Sequence, residues 1–341
     1  MNASVIIPTH NREEILQRVL GYYARQVGAV DFEIIVVDDG STDGTRSLFE
    51  GLRKSEIKRK RICEEYGERI REVRKGWYRP DPGENLVLSP AELYLTFVHI
   101  EKAGRSVARN VGICFSAYPL IIFADDDIFV EPEFVKKHVE SHHFDDRLVV
   151  MGRVLHTQDL QNPFSAGWKL KDINTAFLST GNASVLKKHI IDAGLFDETY
   201  TVYGWEDFDL GIHLSELGLD SVKKRINGYH YAPALRSIRP ADVYEKEKER
   251  GLSAVYFYKT HPLRWVERFT LIHNAPVRGL VKFLGLNNWF LSRNRISLLK
   301  GLLLLIIRYK GYFDGIEEGL KLDPENEAEK KKSGGPHGRA S

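Results

Sequence analysis

The chain has 341 residues, 43% of them hydrophobic and 28% charged, and a net charge of +2. This length and composition predict a soluble globular protein with a large core. The balanced charge and the lack of zinc-finger, helix-turn-helix or RNA-binding signatures argue against a nucleic-acid binder. Two cysteines without metal-ligand spacing and no secretory pattern predict a cytoplasmic location. No apolar run reaches the roughly 18 residues that span a bilayer.

The first forty residues alternate between strand and helix patterns. Apolar runs at residues 4–7 and 32–37 predict buried strands, and residues 13–25 carry apolar side chains at helical spacing. This order predicts a parallel sheet with right-handed crossovers. Asp38 and Asp39 follow the second strand, where we expect them to accept hydrogen bonds from a base or a ribose. A helix-capping turn would explain one of these acids but not the pair.

A strongly basic segment follows at residues 53–75. Ten of its residues are Lys or Arg and five are Glu, which favours a solvated helix face or an insertion over a basic lid or membrane-facing patch. With the Pro- and Gly-rich loop after it, it predicts a charged insertion over residues 53–90. A helix then begins near residue 104 and places Arg105 and Arg109 on one face. These two cations could meet a diphosphate or pair with acids further along the chain.

Three consecutive carboxylates, Asp125 to Asp127, follow the apolar run at residues 120–123. Unpaired carboxylates are costly to bury, so they need water, a cation or strong donors. On an extended chain Asp125 and Asp127 point the same way, which suits a hard divalent cation that could hold a diphosphate. The alternative is an acidic turn that starts the helix after Pro132.

A second acidic group stands at the start of a predicted helix. Glu206 and Asp207 lie in its first turn, where the helix dipole alone would favour any single acid. The preceding Gly204-Trp205 pair suggests a close backbone approach and an aromatic platform for a sugar. His230 follows a predicted last strand and could complete a metal site as a neutral imidazole.

The chain is predicted to be helical from residue 241 to residue 322, with a disordered tail at residues 323–341. Residues 296–307 are apolar nearly all round and have basic flanks. This helix could lie on a membrane surface through residues 293–310, which would place the protein at the inner face of the membrane. The favoured interpretation is that it packs on the catalytic domain.

Five motifs, in this order, resemble those of the inverting glycosyltransferases of family 2. They are Val5-Ile6-Ile7-Pro8-Thr9-His10-Asn11-Arg12, Val36-Val37-Asp38-Asp39-Gly40-Ser41, Ala108-Arg109-Asn110-Val111-Gly112, Phe123-Ala124-Asp125-Asp126-Asp127 and Gly204-Trp205-Glu206-Asp207. The resemblance implies an α/β, Rossmann-like GT-A fold over residues 1–240, with a mostly parallel sheet between helices and a C-terminal helical extension. The family's processive Gln-x-x-Arg-Trp run is absent, so a single transfer is expected.

The resemblance also implies roles for individual residues. Asp207 resembles the catalytic base, with Trp205 and Glu206 on the acceptor side. His230, Asp127 and Asp126 would hold Mn²⁺ or Mg²⁺, although the Asp-Asp-Asp run leaves two registers open: Asp125 with Asp127, or Asp126 as the main ligand. The residues expected to bind the nucleotide are Pro8, Thr9, Asn11, Arg12, Asp39, Arg105, Arg109, Asp125 and Asp126.

The predicted substrates are a nucleoside-diphosphate sugar, with a UDP-sugar favoured, and a glycan or lipid-linked acceptor. Two other functions are weighed against this one. A sugar-nucleotide pyrophosphorylase would need a Gly-rich phosphate loop near the first strand, where Pro8-Thr9-His10-Asn11 stands instead. A non-catalytic sugar-nucleotide-binding protein would keep Asp39 but would not need Asp207 and His230.

Overall fold

The computed structural model describes residues 1–28, 30–55, 66–79, 93–233, 237–274 and 300–322. Several predictions fall on other residues and lie outside this described part. They are the tail at 323–341, much of the insertion at 53–90, and the start of the segment 293–310.

The described residues include one ten-stranded sheet and several helices. The strands are β1 Ala3–Thr9, β2 Phe32–Asp39, β3 Arg53–Lys54, β4 Ile70–Tyr78, β5 Leu93–Ile100, β6 Leu120–Ala124, β7 Ile128–Val130, β8 Leu148–Thr157, β9 Asn182–Leu186 and β10 Asp220–Tyr231. The helices are α1 Glu13–Tyr23, α2 Arg105–Phe115, α3 Phe134–Ser141, α4 Lys187–Asp192, α5 Glu206–Glu216, α6 Pro240–Thr260, α7 Arg264–Thr270 and α8 Lys300–Lys321.

The strand order is β3-β4-β5-β2-β1-β6-β9-β8-β10-β7. The pairings β5-β2, β2-β1, β1-β6 and β8-β10 are parallel. Because β9 is antiparallel to both β6 and β8, those two strands also share one direction. All strands except β4, β7 and β9 therefore run the same way, which confirms the predicted mostly parallel sheet. The carboxyl ends of β1, β2, β6, β8 and β10 consequently meet at one edge.

The central strands are buried because their sequences are almost continuously apolar, as expected for strands covered on both faces. All five residues of β6 are buried, and so is every residue of β2 after Phe32. The strand β2 continues through Asp38 and Asp39, so these acids end the strand rather than follow it. These buried strands therefore set the position of the sheet edge at which the polar residues after each strand lie.

The described part of the basic segment 53–75 contains strands, so the predicted helix face is wrong there. Glu72 of β4 is buried and accepts hydrogen bonds from Arg46 Nε at 2.8 Å and Arg74 Nε at 2.9 Å. Part of the high charge therefore serves to pair one buried carboxylate, whose pKa is lowered because these ion pairs outweigh the effect of burial. The period of a charged strand is difficult to distinguish from that of a charged helix without an apolar face.

The chain divides into two compact units: residues 1–201 with 206–232, and residues 202–205 with the chain from 233 onward. In the second unit α6 and α8 approach closely, because Gly251, Gly311 and Gly315 stand where a Cβ would meet the backbone of the other helix. Leu304 and Ile307 of α8 are buried.

None of the helices in the described part of the chain has the length and apolar character needed to cross a membrane. Cys114 is disulfide-bonded, so the cysteines do not support the predicted reducing compartment.

A buried chain of hydrogen bonds joins α3 to β9. The amide of Asn182 donates to two backbone carbonyls, so its Oδ1 accepts from His138 Nε2 at 2.9 Å. His138 Nδ1 then accepts from Ser184 Oγ at 2.8 Å, and Ser184 Oγ accepts from His142 Nε2 at 2.9 Å. These roles require the imidazole of His138 to be neutral, because its Nε2 donates while its Nδ1 accepts. Burial lowers the pKa of His138 from 6.5 to about 3 and that of His142 to about 4.

This network predicts a loss of stability in acid. Because the pKa of His138 is depressed in the folded protein, the unfolded chain binds a proton first as the pH falls below 6.5, and stability declines from there towards pH 3. For His138 alone the loss between pH 7 and pH 5 is about 2 kcal/mol. His138→Gln should lose correspondingly less over this interval in urea unfolding. The exposed His143→Gln is the control, and equal losses in the two variants would contradict the prediction.

Candidate active site

The three aspartates of the turn after β6 face different partners. Asp126 is buried and its Oδ2 accepts a hydrogen bond from Thr9 Oγ1 at 2.7 Å. Burial, followed by the neighbouring charge of Asp127, raises the pKa of Asp126 to about 7, although the Thr9 bond opposes this. Asp125 is 42% exposed. The turn therefore connects the loop after β1 with the rest of the sheet edge.

Asp127 lies next to His230, as the strand pairing requires. His230 stands opposite Ile128 in the β10-β7 ladder, and Tyr231 N donates to the carbonyl of Asp127 at 2.9 Å. His230 Nε2 is 3.4 Å from Asp127 Oδ2, and a guanidinium nitrogen of Arg12 is 3.9 Å from the same oxygen. A carboxylate and an imidazole are ligands that Mn²⁺ accepts, so this pair fits a divalent ion.

Arg109 lies buried beneath a group of acids. Its guanidinium is 3.0 Å from Glu206 Oε1 and 3.6 Å from both Asp207 Oδ1 and Asp125 Oδ1, and only 4% of the side chain is exposed. Burial lowers the pKa of Arg109, but the charges of Asp207, Glu206 and Asp125 more than offset this, so the pKa lies above its ordinary value. The predicted contact of Arg109 with a diphosphate is thus replaced by pairing with acids, the alternative that its position on α2 left open.

Asp207 is held by Thr180 as well as by Arg109. Thr180 N donates to Asp207 Oδ2 at 2.9 Å, and Thr180 Oγ1 lies 2.9 Å from Oδ1. Burial raises the pKa of Asp207 to about 6, the charge of Arg109 opposes this, and Glu206 adds to it. The side chain keeps 21% of its surface exposed. Asp207 is therefore oriented from the protein side and open to a molecule on the other.

Asp39 holds the loop that precedes α2. Its carboxylate accepts from Ala103 N at 2.6 Å and from Gly104 N at 3.1 Å. Asp38 is fully buried and accepts from Ser41 N, while His99 Nδ1 lies 2.8 Å from its second oxygen. The predicted bond between Asp39 and a base stays a prediction. In the structure this carboxylate fixes the backbone around that position.

Asn11 joins the two loops at the start of the sheet. It has a positive φ of 52°, which is uncommon for a residue other than glycine. Its Oδ1 accepts from Thr42 N at 2.7 Å and Asp43 N at 3.3 Å, and its own N donates to Ser41 Oγ. Asn11 thus holds the loop after β1 and the loop after β2 together. Pro8, another residue predicted to bind the nucleotide, lies in β1 and pairs with Val37 of β2.

The side chain of Trp205 is not placed as predicted. Only 7% of the residue is exposed, and its ring stacks on Phe257 at 5.3 Å, with Phe269 edge-on at 5.7 Å. Its Nε1 donates to the carbonyl of Arg250 at 2.8 Å. These contacts, all within the second unit, occupy the ring, so it is not an open platform for a sugar. The predicted close approach at Gly204 is present, since a Cβ there would lie 2.8 Å from Arg250 Cγ.

Two further residues of the site had little signal in the sequence. Thr180 lies in a small polar turn whose composition does not show that it contacts Asp207. His156 is the last residue but one of β8 and pairs with His230 of β10, and the two ring centroids are 5.2 Å apart. Arg105, the other predicted cation, is exposed at the first position of α2.

Comparison with known proteins defines the class. The family model described as glycosyl transferase family 2 matches residues 4–76 and 91–193, more than half of the chain. The chain therefore belongs to glycosyl transferase family 2. Membership of this family favours sugar transfer over the two alternatives weighed from the sequence, a pyrophosphorylase and a non-catalytic binding protein.

Several relatives are named glycosyltransferases. Validoxylamine A glucosyltransferase from Streptomyces hygroscopicus subsp. jinggangensis (strain 5008) is 29% identical over 82% of this chain and 65% of that protein. The uncharacterized glycosyltransferase YfnE from Bacillus subtilis (strain 168) is 26% identical over 64% of this chain and 62% of that protein. The chain thus spans less than two thirds of the length of these relatives.

The fold is also found among solved structures. The mannosyltransferase PcManGT from Pyrobaculum calidifontis, solved in complex with GDP-Man and Mn²⁺, has a TM-score of 0.52 at 16% identity. The match covers 94% of this chain and 87% of that one. This similarity confirms the predicted GT-A fold.

Arg109→Met tests whether Arg109 serves the acids of the site. Removing one partner of a buried ion pair costs about 3–5 kcal/mol, because the other charge is left uncompensated. The remaining acids should then bind protons more readily in the folded protein, so the loss of stability should be smaller at pH 5 than at pH 8. Urea unfolding at the two pH values measures this.

Arg105→Met is the matched control, since it removes an exposed cation from the same helix. Because Arg105 is exposed, this substitution should change the free energy of unfolding by no more than about 1 kcal/mol, the upper end for a surface ion pair. If Arg109→Met loses little free energy of unfolding, or loses the same amount at pH 5 and pH 8, Arg109 does not stabilise these acids by ion pairing.

Proposed function

We propose that this glycosyltransferase moves a sugar from a nucleoside-diphosphate sugar to an acceptor hydroxyl in one inverting displacement, with Asp207 as the general base. The observation that carries the proposal is the position of Asp207. Its carboxylate is oriented by Thr180 and Arg109, partly open, and in contact through Arg109 with Asp125, the first acid of the turn that also holds Asp127.

The proposed reaction needs one base. The acceptor oxygen attacks the anomeric carbon, the bond from that carbon to the diphosphate oxygen breaks, and the acceptor proton passes to Asp207. A single displacement inverts the anomeric centre, whereas retention through a covalent intermediate would need a second displacement. The raised pKa of Asp207 strengthens it as a base while keeping it mostly ionised near neutral pH.

Asp127 and His230 are the residues that would hold a divalent ion, Mn²⁺ or Mg²⁺. When bound there, the ion would supply positive charge to the diphosphate that leaves. The imidazole of His230 favours Mn²⁺ over Mg²⁺, because Mg²⁺ prefers oxygen ligands and retains water. Arg12, 3.9 Å from Asp127, adds a second cation to the same side of the turn.

The donor is proposed to be a nucleotide sugar, with a UDP-sugar favoured. Thr9 and Asp39 stand at the carboxyl ends of neighbouring parallel strands, where nucleotides bind in open α/β sheets. Relatives named for glucosyl transfer and a solved relative in complex with GDP-Man support a sugar nucleotide and leave the base open.

The acceptor, the location and the membrane contact stay predictions. They are a glycan or lipid-linked acceptor, a cytoplasmic location and a membrane contact through residues 293–310. In the described part of that segment, buried residues of α8 pack on α6 within the second unit. This packing favours the internal role over the membrane surface for residues 304 and 307.

Asp207→Asn tests the base. The amide keeps the size and much of the hydrogen bonding of the carboxylate but does not take the proton, so turnover should fall by about 10²–10⁴-fold. Affinity for the nucleoside diphosphate should stay within a few-fold, because the predicted donor residues are elsewhere. Calorimetric titration with UDP and GDP, beside turnover of the matching sugar nucleotides, separates the two effects. The parent's kcat/KM should rise through pH 6 as Asp207 ionises.

Glu206→Gln is the neighbouring control, since Glu206 pairs with the same guanidinium. It should lose less turnover than Asp207→Asn. If Asp207→Asn turns over within a few-fold of the parent, the base lies elsewhere. Glu206, or the buried Asp209 in the same first turn of α5, then becomes the candidate.

Asp127→Asn and His230→Ala test the metal ligands. Each should weaken Mn²⁺-dependent binding of UDP or GDP. Loss of a residue that only supports a metal ligand costs roughly 10–100-fold in metal affinity, so loss of a ligand should cost at least as much. Binding without Mn²⁺ should change little. The exposed His143→Ala is the control for loss of an imidazole. An undiminished gain in affinity from Mn²⁺ in both site variants would show that the ion is held elsewhere.

A further inference from the structure

The segment of residues 158–181, which connects β8 to β9, begins and ends at the active site. At its start, His156 near the end of β8 has its ring 5.2 Å from the ring of His230. At its end, Thr180 donates to both oxygens of Asp207. A segment with both ends at the catalytic residues is positioned to contact whatever molecule lies beside Asp207.

Two anchors hold this connecting segment in place. Near its start, the ring of Phe164 packs against Tyr22 at 5.4 Å and Tyr229 at 5.1 Å. Further along, the buried Asp172 accepts from the backbone N of Lys169 at 2.7 Å, and its other oxygen lies 2.7 Å from His156 Nδ1. The second anchor ties the segment to the histidine that contacts His230.

Three large apolar side chains stand exposed around the second anchor. Trp168 is 52% exposed, Leu170 76% and Ile173 57%. Exposed apolar residues are ordinary when scattered, but three within six residues on an anchored segment at an active site indicate a binding surface. An indole face is suited to the C–H face of a pyranose ring, because it is both apolar and electron-rich.

We infer that Trp168 is the platform on which a sugar ring of the acceptor stacks, with Leu170 and Ile173 extending the surface. This inference rests on the proposed function. The acceptor is the expected occupant because the segment is joined through Thr180 to Asp207, the residue that takes the acceptor proton. Trp205, to which the sequence pointed, has its ring stacked on Phe257.

Asp172 and His156 are positioning residues in this scheme. Their contact fixes the turn that begins directly after Trp168, because Asp172 also accepts from the backbone N of Lys169. Neither residue needs to touch the acceptor. Asp172→Asn should therefore weaken acceptor binding while the indole is still present. If the connecting segment only covered the sheet, Asp172→Asn would leave acceptor binding unchanged.

The experiment titrates p-nitrophenyl glycosides of glucose, galactose, mannose and N-acetylglucosamine into the full chain with UDP or GDP and Mn²⁺, using ligand-observed NMR. Trp168→Ala should weaken glycoside binding by about fivefold to tenfold, the effect of losing one aromatic stacking contact. Its affinity for the nucleotide should match the parent's. Trp77→Ala is the control, because Trp77 is also exposed, at 66% against 52% for Trp168, but stands on β4.

The outcomes separate this inference from the function on which it rests. Weaker glycoside binding in Trp168→Ala and Asp172→Asn, but not in Trp77→Ala, supports it. If the parent binds nucleotide but no glycoside, or if Trp168→Ala binds glycosides as the parent does, the inference is overturned. If the parent binds neither nucleotide, the proposed function itself fails.

Discussion

The guanidinium of Arg109 contacts Glu206, Asp207 and Asp125, which come from two distant parts of the chain. Without this cation, three carboxylates would stand together at a buried edge of the sheet, and their repulsion and desolvation would drive them to bind protons. With it, the acids stay close and Asp207 keeps a pKa of about 6. The carboxylate of Asp207 is thus mostly ionised near neutral pH, because the charge of the buried Arg109 opposes the effect of burial on its pKa.

The sheet supplies the frame for this arrangement. Six strands around the centre run the same way, so polar residues at their carboxyl ends meet at one edge although they are far apart in sequence. The short antiparallel strand β7 then pairs with β10 and brings His230 to Asp127. Thr180 enters from the connection before β9. The site is assembled from backbone pairing first and from side-chain contacts second.

The local signals in the sequence were strong where burial and chemistry coincide. Apolar runs predicted β1, β2 and β6, because strands covered on both faces leave few other residues acceptable. The acids that follow such runs, Asp38 to Asp39 and Asp125 to Asp127, stood out because carboxylates at the end of a buried strand are costly without partners. The strand β4 was not predicted, because the charged segment 53–75 was interpreted as a solvated helix face or an insertion and lacks the apolar face that would reveal its period.

The sequence by itself determined the α/β class, the order of the acidic motifs and the family they resemble, all of which are properties of short segments. Only the tertiary structure decided which partner each side chain meets. Arg109 could have faced a diphosphate or the acids, and Trp205 could have been open or packed, because a residue pattern specifies a face but not the element laid against it. Thr180 and His156 join the site through contacts between distant segments, for which no local pattern exists.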